Sequence, residues 1–277
     1  MIQTLRCADK LLQLDRPLVM GIVNITPDSF SDGGRFFDSG SALGHALKLV
    51  EEGADILDIG GESTRPGAAE VSVQEELDRV IPVIEALVAE VPVPISIDTS
   101  KPEVMSEALS NGAGFLNDVR AFQEVGALEV AAASDVPVCL MHMKGAPHTM
   151  QDDPHYDDVI GEVEDFFRKR IAACEQAGIS RERILLDPGF GFGKSLEHNI
   201  RLLGELERFQ VLGYPLLVGV SRKRMIGMLL GDVPPDQRLY GSVSAAVVAA
   251  MKGAAIIRVH DVRPTVEALK IVTAIQR

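Results

Sequence analysis

Eight short apolar runs alternate with longer amphipathic stretches along nearly the whole chain, and this rhythm limits the fold more than any other feature. The runs Leu18–Ile25, Ile56–Ile59, Ile95–Asp98, Gly114–Val119, Val138–Met143, Ile184–Asp187, Leu216–Val220 and Ile256–His260 predict strands. Each is close to continuously apolar, as expected of strands buried on both faces. Between and after them, Ser41–Glu52, Val73–Ala89, Pro102–Ser110, Gly126–Ala133, Val159–Ala177, Leu196–Phe209, Val243–Met251 and Thr265–Ile275 carry apolar residues near a 3.6 period and predict helices. Ser72, with Glu75 three residues on, predicts a capping box, and Gly53, Gly112 and Gly178 stand where helices need a left-handed terminator. Eight strand–helix units in 277 residues fit a single α/β domain, a (β/α)8 TIM barrel spanning 17–277 behind a short N-terminal hairpin at 1–16. An open, doubly wound sheet is the alternative that the pattern alone leaves.

Composition narrows the partners. With 27 Lys plus Arg against 40 Asp plus Glu, the net charge is −13, so the chain as a whole repels nucleic acid and anionic membranes. An anionic substrate therefore needs a local cationic pocket. The three cysteines, Cys7, Cys139 and Cys174, form no CxxC pair, which argues against a disulfide framework or zinc ribbon and for a reducing cytosol. The opening MIQTLRCADK has no apolar signal region, and no apolar run approaches the length of a membrane span. The expectation is a cytoplasmic protein with small-molecule partners.

In such a barrel, sites form at the C-terminal ends of the strands. Those ends read Asn24, Asp58, Asp98, Asn117 with Asp118, His142, Asp187, Ser221 to Lys223, and Arg258 with His260. A single polar strand end needs no explanation beyond solvent, but eight at one mouth form a ligand site. The stretch GFGFGKS at Gly189–Ser195 fails the phosphate-loop pattern, because its first glycine would fall on Pro188. Its glycines suit a tight turn against a flat ligand, with Phe190 and Phe192 either stacking or simply packed. The segments after Asn24 and Asp58 read as lids or solvated connectors.

Taken together, VMGIVNITPDSFSDGG, GADILDIGGESTRPGA, ISIDTSKPEV, LNDV, MHMKGAPHTMQ, LLDPGFGFGKSLEHN, VGVSRKRMIG and IRVHDV resemble the dihydropteroate synthase family, in order and at nearly every strand end. The resemblance implies a pterin-binding transferase. It joins 7,8-dihydropterin-6-ylmethyl diphosphate to 4-aminobenzoate, giving 7,8-dihydropteroate and diphosphate, by an SN1-like substitution with Mg2+. It implies pterin contacts at Asp98, Asn117, Asp187, Lys223, Met141 and Phe192, with Val119 and Ile22 also lining the ring faces. It implies diphosphate contacts at Asn24, Arg65, Arg258 and His260, with positive donors at the last two, and Mg2+ at Asn24. For 4-aminobenzoate it implies Phe30, Thr64, Pro66, Phe192 and Ser221. Catalytic roles fall on Asp98, Lys223, Asp32 and Arg65. A homodimer and sensitivity to sulfonamides complete the set. Arg224 and Lys144 depart from the family pattern, and His45, His148, His155 and His198 receive no role. The rivals are a methyltetrahydrofolate methyltransferase, which leaves the diphosphate residues unexplained, a Schiff-base aldolase using Lys223, and a non-catalytic pterin-binding protein.

Overall fold

The computed structural model describes residues 4–26, 39–63, 70–145, 150 and 154–276. It opens with an antiparallel hairpin of β1 (Thr4–Cys7) and β2 (Lys10–Gln13). Eight parallel strands then close into a barrel: β3 (Leu18–Asn24), β4 (Ile56–Gly60), β5 (Ile95–Asp98), β6 (Phe115–Asp118), β7 (Val138–Met141), β8 (Ile184–Asp187), β9 (Leu216–Val218) and β10 (Ala254–Val259), with β10 pairing back onto β3. Closure excludes the open-sheet alternative and leaves no barrel strand with an unpaired edge. No described helix is long and apolar enough to cross a membrane.

The helices that cover the barrel are α1 (Ser39–Glu51), α2 (Val73–Glu90), α3 (Pro102–Ser110), α4 (Ala127–Ala133), α5 (Val159–Gln176), α6 (Leu196–Gly204), α7 (Arg224–Leu229), α8 (Leu239–Met251) and α9 (Val262–Gln276). Gly53, Gly112 and Gly178 take the positive φ expected of helix terminators. The box predicted at Ser72 is only half formed. Its hydroxyl accepts the Glu75 N–H at 3.2 Å, but the Glu75 carboxylate pairs with Arg79 one turn on. A complete box forms instead at Ser195, where His198 takes the reciprocal role. The helix expected through Phe209 stops at Gly204, and a 3-10 segment, Leu206–Leu212, follows. Helix α7 is too short to show a period and has no counterpart among the predicted helices. Helix α9 begins three residues before Thr265, because Pro264 is tolerated in a first turn whose N–H groups have no helical partner.

Two cores result from strand alternation. Outward-facing residues, among them Leu57, Leu116, Leu140, Leu186 and Ile257, pack under the helices. Inward-facing Leu18, Met20, Ile56, Phe115, Cys139, Leu185, Leu217 and Ile256 fill the barrel, and Leu5 and Cys7 of the hairpin close it from below. The hairpin fits tightly, since a Cβ on Gly114 would lie 2.9 Å from the Cys7 carbonyl. Burying Leu5 alone contributes roughly 1.5–3 kcal/mol. The floor is therefore sealed with apolar side chains, and polar groups gather at the opposite end.

Candidate active site

Residues two positions beyond this apolar tier point into the barrel as well, because side chains alternate along a strand. Ile56 leads to Asp58, Phe115 to Asn117, Cys139 to Met141, Leu185 to Asp187 and Ile256 to Arg258. Asp98 stands level with Asn117 and Gly60 in the ladder. Asp118 and His142 are one residue out of phase and face away from the mouth. Asp118 accepts the Arg120 and Phe122 N–H groups and the Ser100 hydroxyl, fixing a turn in which Ala121 and Phe122 have positive φ. His142 lies edge-on to Phe166 under α5. These two strand-end residues belong to the support of the site rather than to its lining.

Across the mouth, one arginine ties three strands together. Arg258 Nε donates to Asp58 Oδ2 at 2.5 Å, and its Nη2 donates to Asp98 Oδ2 at 2.7 Å. Asn117 Nδ2 donates to the same Asp58 oxygen at 3.1 Å. Asp58 is fully buried, and its Oδ1 has no hydrogen-bond partner. The sequence marks Asp58 as a strand end without a role, although its parity with Ile56 already turns it inward. Arg258, expected to face the diphosphate, thus commits two of its donor groups to carboxylates of the barrel.

Burial pushes the Asp98 carboxyl up to about 7, with Arg258 opposing and Asp58 adding repulsion. It pushes Asp187 up to about 6, while the Gly189 N–H and the cations Lys223, Arg258 and Lys194 hold it back. The Gly189 N–H donates to Asp187 Oδ1 at 2.8 Å. Lys223 is lowered to about 8, first by burial and then by Arg258. Two carboxyls and an ammonium are thereby poised near neutral pH, where an arriving ligand can set their charge.

Lys223 lies with its Nζ 4.1 Å from the centre of the Phe192 ring. Phe192, Met141 and Met150 share a small apolar cluster with Val119, so three of the four expected ring-face residues meet there. Phe190, the other candidate for stacking, is buried in the outer core and is a packing residue. Ser221 Oγ accepts the His260 N–H at 3.2 Å and lies 3.1 Å from His260 Nδ1. Burial, then Arg258 and Arg222, lower His260 to about 3, so it is neutral and not the positive donor expected. Arg222, at φ +55°, grips Asp261 with two hydrogen bonds and fixes the β9 turn. The half-buried Asn24 ends β3, and its Oδ1 would lie 3.6 Å from a Cβ built on Gly60, which has Asp98 on its other side.

Phe30, Asp32, Thr64, Arg65 and Pro66 lie outside the described residues. On either flank of 64–69, Glu62 accepts Lys101 Nζ through Oε2 at 2.6 Å and the Val71 N–H through Oε1 at 3.1 Å. Lys101 also donates to the fully buried Glu76 at 2.6 Å. No sequence signal marks this triad, because its members come from three different elements.

The family model described as "Pterin binding enzyme" matches residues 20–260. The dihydropteroate synthase of Escherichia coli (strain K12) is 59% identical over 263 residues, 95% of this chain and 93% of that protein. The solved structure of Xanthomonas albilineans dihydropteroate synthase with 4-aminobenzoic acid is 56% identical, with a TM-score of 0.95 over 100% of this chain and 99% of that one. A second structure of that enzyme, in complex with 7,8-dihydropteroate, superposes with a TM-score of 0.91 at 54% identity, covering 99% of this chain and 98% of that one. A mouth built from paired carboxylates, an amide and two buried cations, on a chain this similar over its whole length, belongs to a pterin-binding enzyme of the dihydropteroate synthase family.

Proposed function

We infer that this mouth condenses 7,8-dihydropterin-6-ylmethyl diphosphate with 4-aminobenzoate, giving 7,8-dihydropteroate and diphosphate. The observation that carries the reading is the convergence of Asp98, Asn117 and Asp187 with Lys223 and Arg258 inside one barrel mouth whose floor is apolar. A pterin edge offers several N–H donors. Carboxylates whose charge is costly when the site is empty gain most from such donors, so the ring both binds and draws Asp98 and Asp187 into their ionised forms. Met141 and Phe192 supply the flat apolar walls, and Lys223 donates to the ring's carbonyl side.

The bond that breaks joins the pterin methylene carbon to a diphosphate oxygen. The electron pair leaves with diphosphate, and the dihydropterin ring shares the positive charge left on carbon. Asp98, ionised beneath that ring, stabilises the cation as it forms. The aryl amine of 4-aminobenzoate then attacks the carbon and gives up one proton, which the released diphosphate takes up. Phe30, Thr64, Pro66, Phe192 and Ser221 hold this second substrate. Arg258 meets the diphosphate with Nη1, since Nε and Nη2 stay on Asp58 and Asp98. His260 contributes a neutral ring N–H, and Arg65 and Asp32 act from the loops.

Among the described residues, no cluster of three or more His, Cys, Asp or Glu side chains forms a metal cage. A single amide oxygen, that of Asn24, at the rim beside Asp98 fits an ion that keeps its waters and takes most of its ligands from a diphosphate. Asn24 would hold Mg2+, which when bound neutralises charge on the leaving group. The free, buried cysteines suit a cytoplasmic enzyme. A homodimer through α8 and α9 is supported by the apolar side chains these packed helices leave exposed, including Met251, Ile271 and Ile275.

The test is diphosphate release from the two substrates, with and without Mg2+. Release that requires both substrates and falls on chelation is expected. Sulfonamides, aryl amines opposite an anionic tetrahedral group, should compete with 4-aminobenzoate. Binding of the pterin without turnover would reduce the chain to a pterin carrier.

A further inference from the structure

The lysine that ends the glycine-rich GFGFGK stretch has no place in the reaction as described, yet it is more deeply buried than any other described lysine outside the mouth. Lys194 is 2% exposed. Its Nζ lies 2.9 Å from His142 Nδ1, 2.9 Å from the Gly189 carbonyl, 3.0 Å from the Phe192 carbonyl and 3.3 Å from the His142 carbonyl. Three carbonyls and a ring nitrogen surround the amine and can take every N–H it has, while burial lowers Lys194 to about 7, with Asp187 opposing and Lys223 adding to the fall. The four partners come from the exit of β7 and from both ends of the turn that follows β8. Lys194 is therefore a staple between two neighbouring strand ends.

The turn leaves no slack around this staple. Gly189, Gly191 and Gly193 have φ of +69°, +80° and +65°. A Cβ on Gly189 would collide with the His142 carbonyl, and one on Gly193 with the Lys144 carbonyl. Asn199 of α6 closes the outer side, accepting the Gly191 N–H at 2.8 Å and donating to the Lys194 and Ser195 carbonyls. Two parts of the mouth hang from the same turn. The Gly189 N–H orients the Asp187 carboxylate, and the Phe192 ring lies beneath the Lys223 ammonium. In its charged form Lys194 also favours the ionised form of Asp187.

Resting on the pterin reading of this mouth, we propose that Lys194 is a positioning residue for the ring-binding half of the site, stapling the β8 turn to β7 so that Asp187, Phe192 and Lys223 meet the pterin in fixed places. It touches no substrate. Its influence stops short of the diphosphate end, since Asn24, Arg258 and His260 are held by β3 and β10 and by partners of their own. A hydrophobic staple of the same size could not serve, because it would take the lysine's N–H donors from the His142 and Phe192 carbonyls and from the His142 ring inside the protein, leaving the Gly189 carbonyl only the Phe192 N–H.

The test separates the two halves of the ligand. Lys194→Met and Lys194→Gln are compared with the wild type for binding of a bare pterin and of inorganic diphosphate with Mg2+, and for KM and kcat. Lys194→Met should weaken the bare pterin at least tenfold, raise the KM of the pterin substrate by a similar factor and leave inorganic diphosphate binding within twofold. Lys194→Gln, which restores N–H donors without charge, should recover part of the loss. A folded Lys194→Met protein that binds the pterin like the wild type, or that loses pterin and diphosphate alike, overturns the proposal. Should neither variant fold, hydrogen exchange of the ligand-free wild type decides. Slow exchange of the Gly189, Gly191 and Phe192 amides supports the staple, and exchange as fast as in an exposed loop refutes it. A wild type that ignores pterins would sink the reading of the mouth itself, while the exchange arm still reports on the staple.

Discussion

At the scale of single residues, the mouth is governed by charges kept in an environment that resists them. Asp98 has burial against it and one hydrogen bond from Arg258 in its favour. Asp98→Asn keeps the shape, loses the charge beneath the forming cation, and should lower kcat by roughly 10²–10³ with the fold intact, as for removal of one preorganised electrostatic group; a near wild-type rate in the purified variant would remove Asp98 from the chemistry. The same burial sets the pH response. The carboxyls lie at about 6 for Asp187 and about 7 for Asp98, with the Lys223 ammonium at about 8. As pH falls through the first two values, both carboxylates take up protons and lose their hold on the ring's N–H groups. As it rises through the third, Lys223 loses its charge. The pH profile of kcat/KM for the pterin substrate, which reports the free enzyme, should therefore be a bell with an acid limb between about pH 6 and 7 and a basic limb near 8. Asp187→Asn should leave a single acid component near the higher value, and an acid limb unchanged in that variant would reassign it. Arg258→Ala should be costly in a different way. It strands Asp58, already short of one partner, and Asp98 in the barrel, and breaking a buried pair from one side typically costs about 3–5 kcal/mol. Chemical denaturation reads this directly, and a loss under about 1 kcal/mol would mean that the network is ornamental.

At the scale of elements, the strands are legible because being buried on two faces demands continuous apolar runs, and their parity then names the inward residues two steps beyond the floor. That logic reaches Asn117, Asp187 and Arg258 from the order of residues alone, whereas Asp98 has the polar Ser96 two residues before it and is turned inward by its ladder level beside Asn117. The same parity turns Asp118 and His142, one step off, outward. Other features have no local signature. Helix α7 is under two turns, the Lys101 triad joins residues 62, 76 and 101, and Lys194 finds its partners across 52 residues in His142. Long-range polar contacts leave no period in a sequence. The charge state of His260 is equally hidden, since it follows from burial beside Arg258 and not from residue type. Glycines give the cleanest comparison between elements. Gly189→Ala must force a Cβ into the His142 carbonyl at φ +69°, so it should lower stability by at least ~1–3 kcal/mol and weaken pterin binding with it. Gly44 lies inside α1 with nothing within 4 Å of a Cβ, and Gly44→Ala should stabilise by roughly 0.5–1 kcal/mol through helix propensity alone. Equal effects at the two positions would show that the turn after β8 yields freely, contrary to its geometry.

On the scale of the whole molecule, two opposing features bear on the proposed homodimer. Each copy carries a net charge of −13, which repels its neighbours over a Debye length of roughly 8 Å at physiological salt. Against this stands an apolar face on two adjacent helices. Met251 is 61% exposed on α8, and Ile271 and Ile275 are 63% and 76% exposed on α9. Such a patch is where the proposed homodimer would pair. Helix α9 follows β10 and runs back along the outside of the barrel, so its last turns lie far from the mouth, near the hairpin end. Pairing here would therefore cover the apolar face without touching the site. A symmetric contact would place each residue against the same patch on the partner, so one substitution changes both sides. Sedimentation of the wild type should give a dimer that tightens as salt rises, since screening removes the charge repulsion and spares the apolar contact. Ile271→Asp adds two buried charges per dimer and should give a monomer at all salt concentrations, with turnover per active site within twofold of the wild type. A wild type that stays monomeric in high salt would show that this face serves another partner. A monomeric Ile271→Asp variant with turnover lost would mean that dimer contacts brace the mouth from a distance, through β10 and its Arg258.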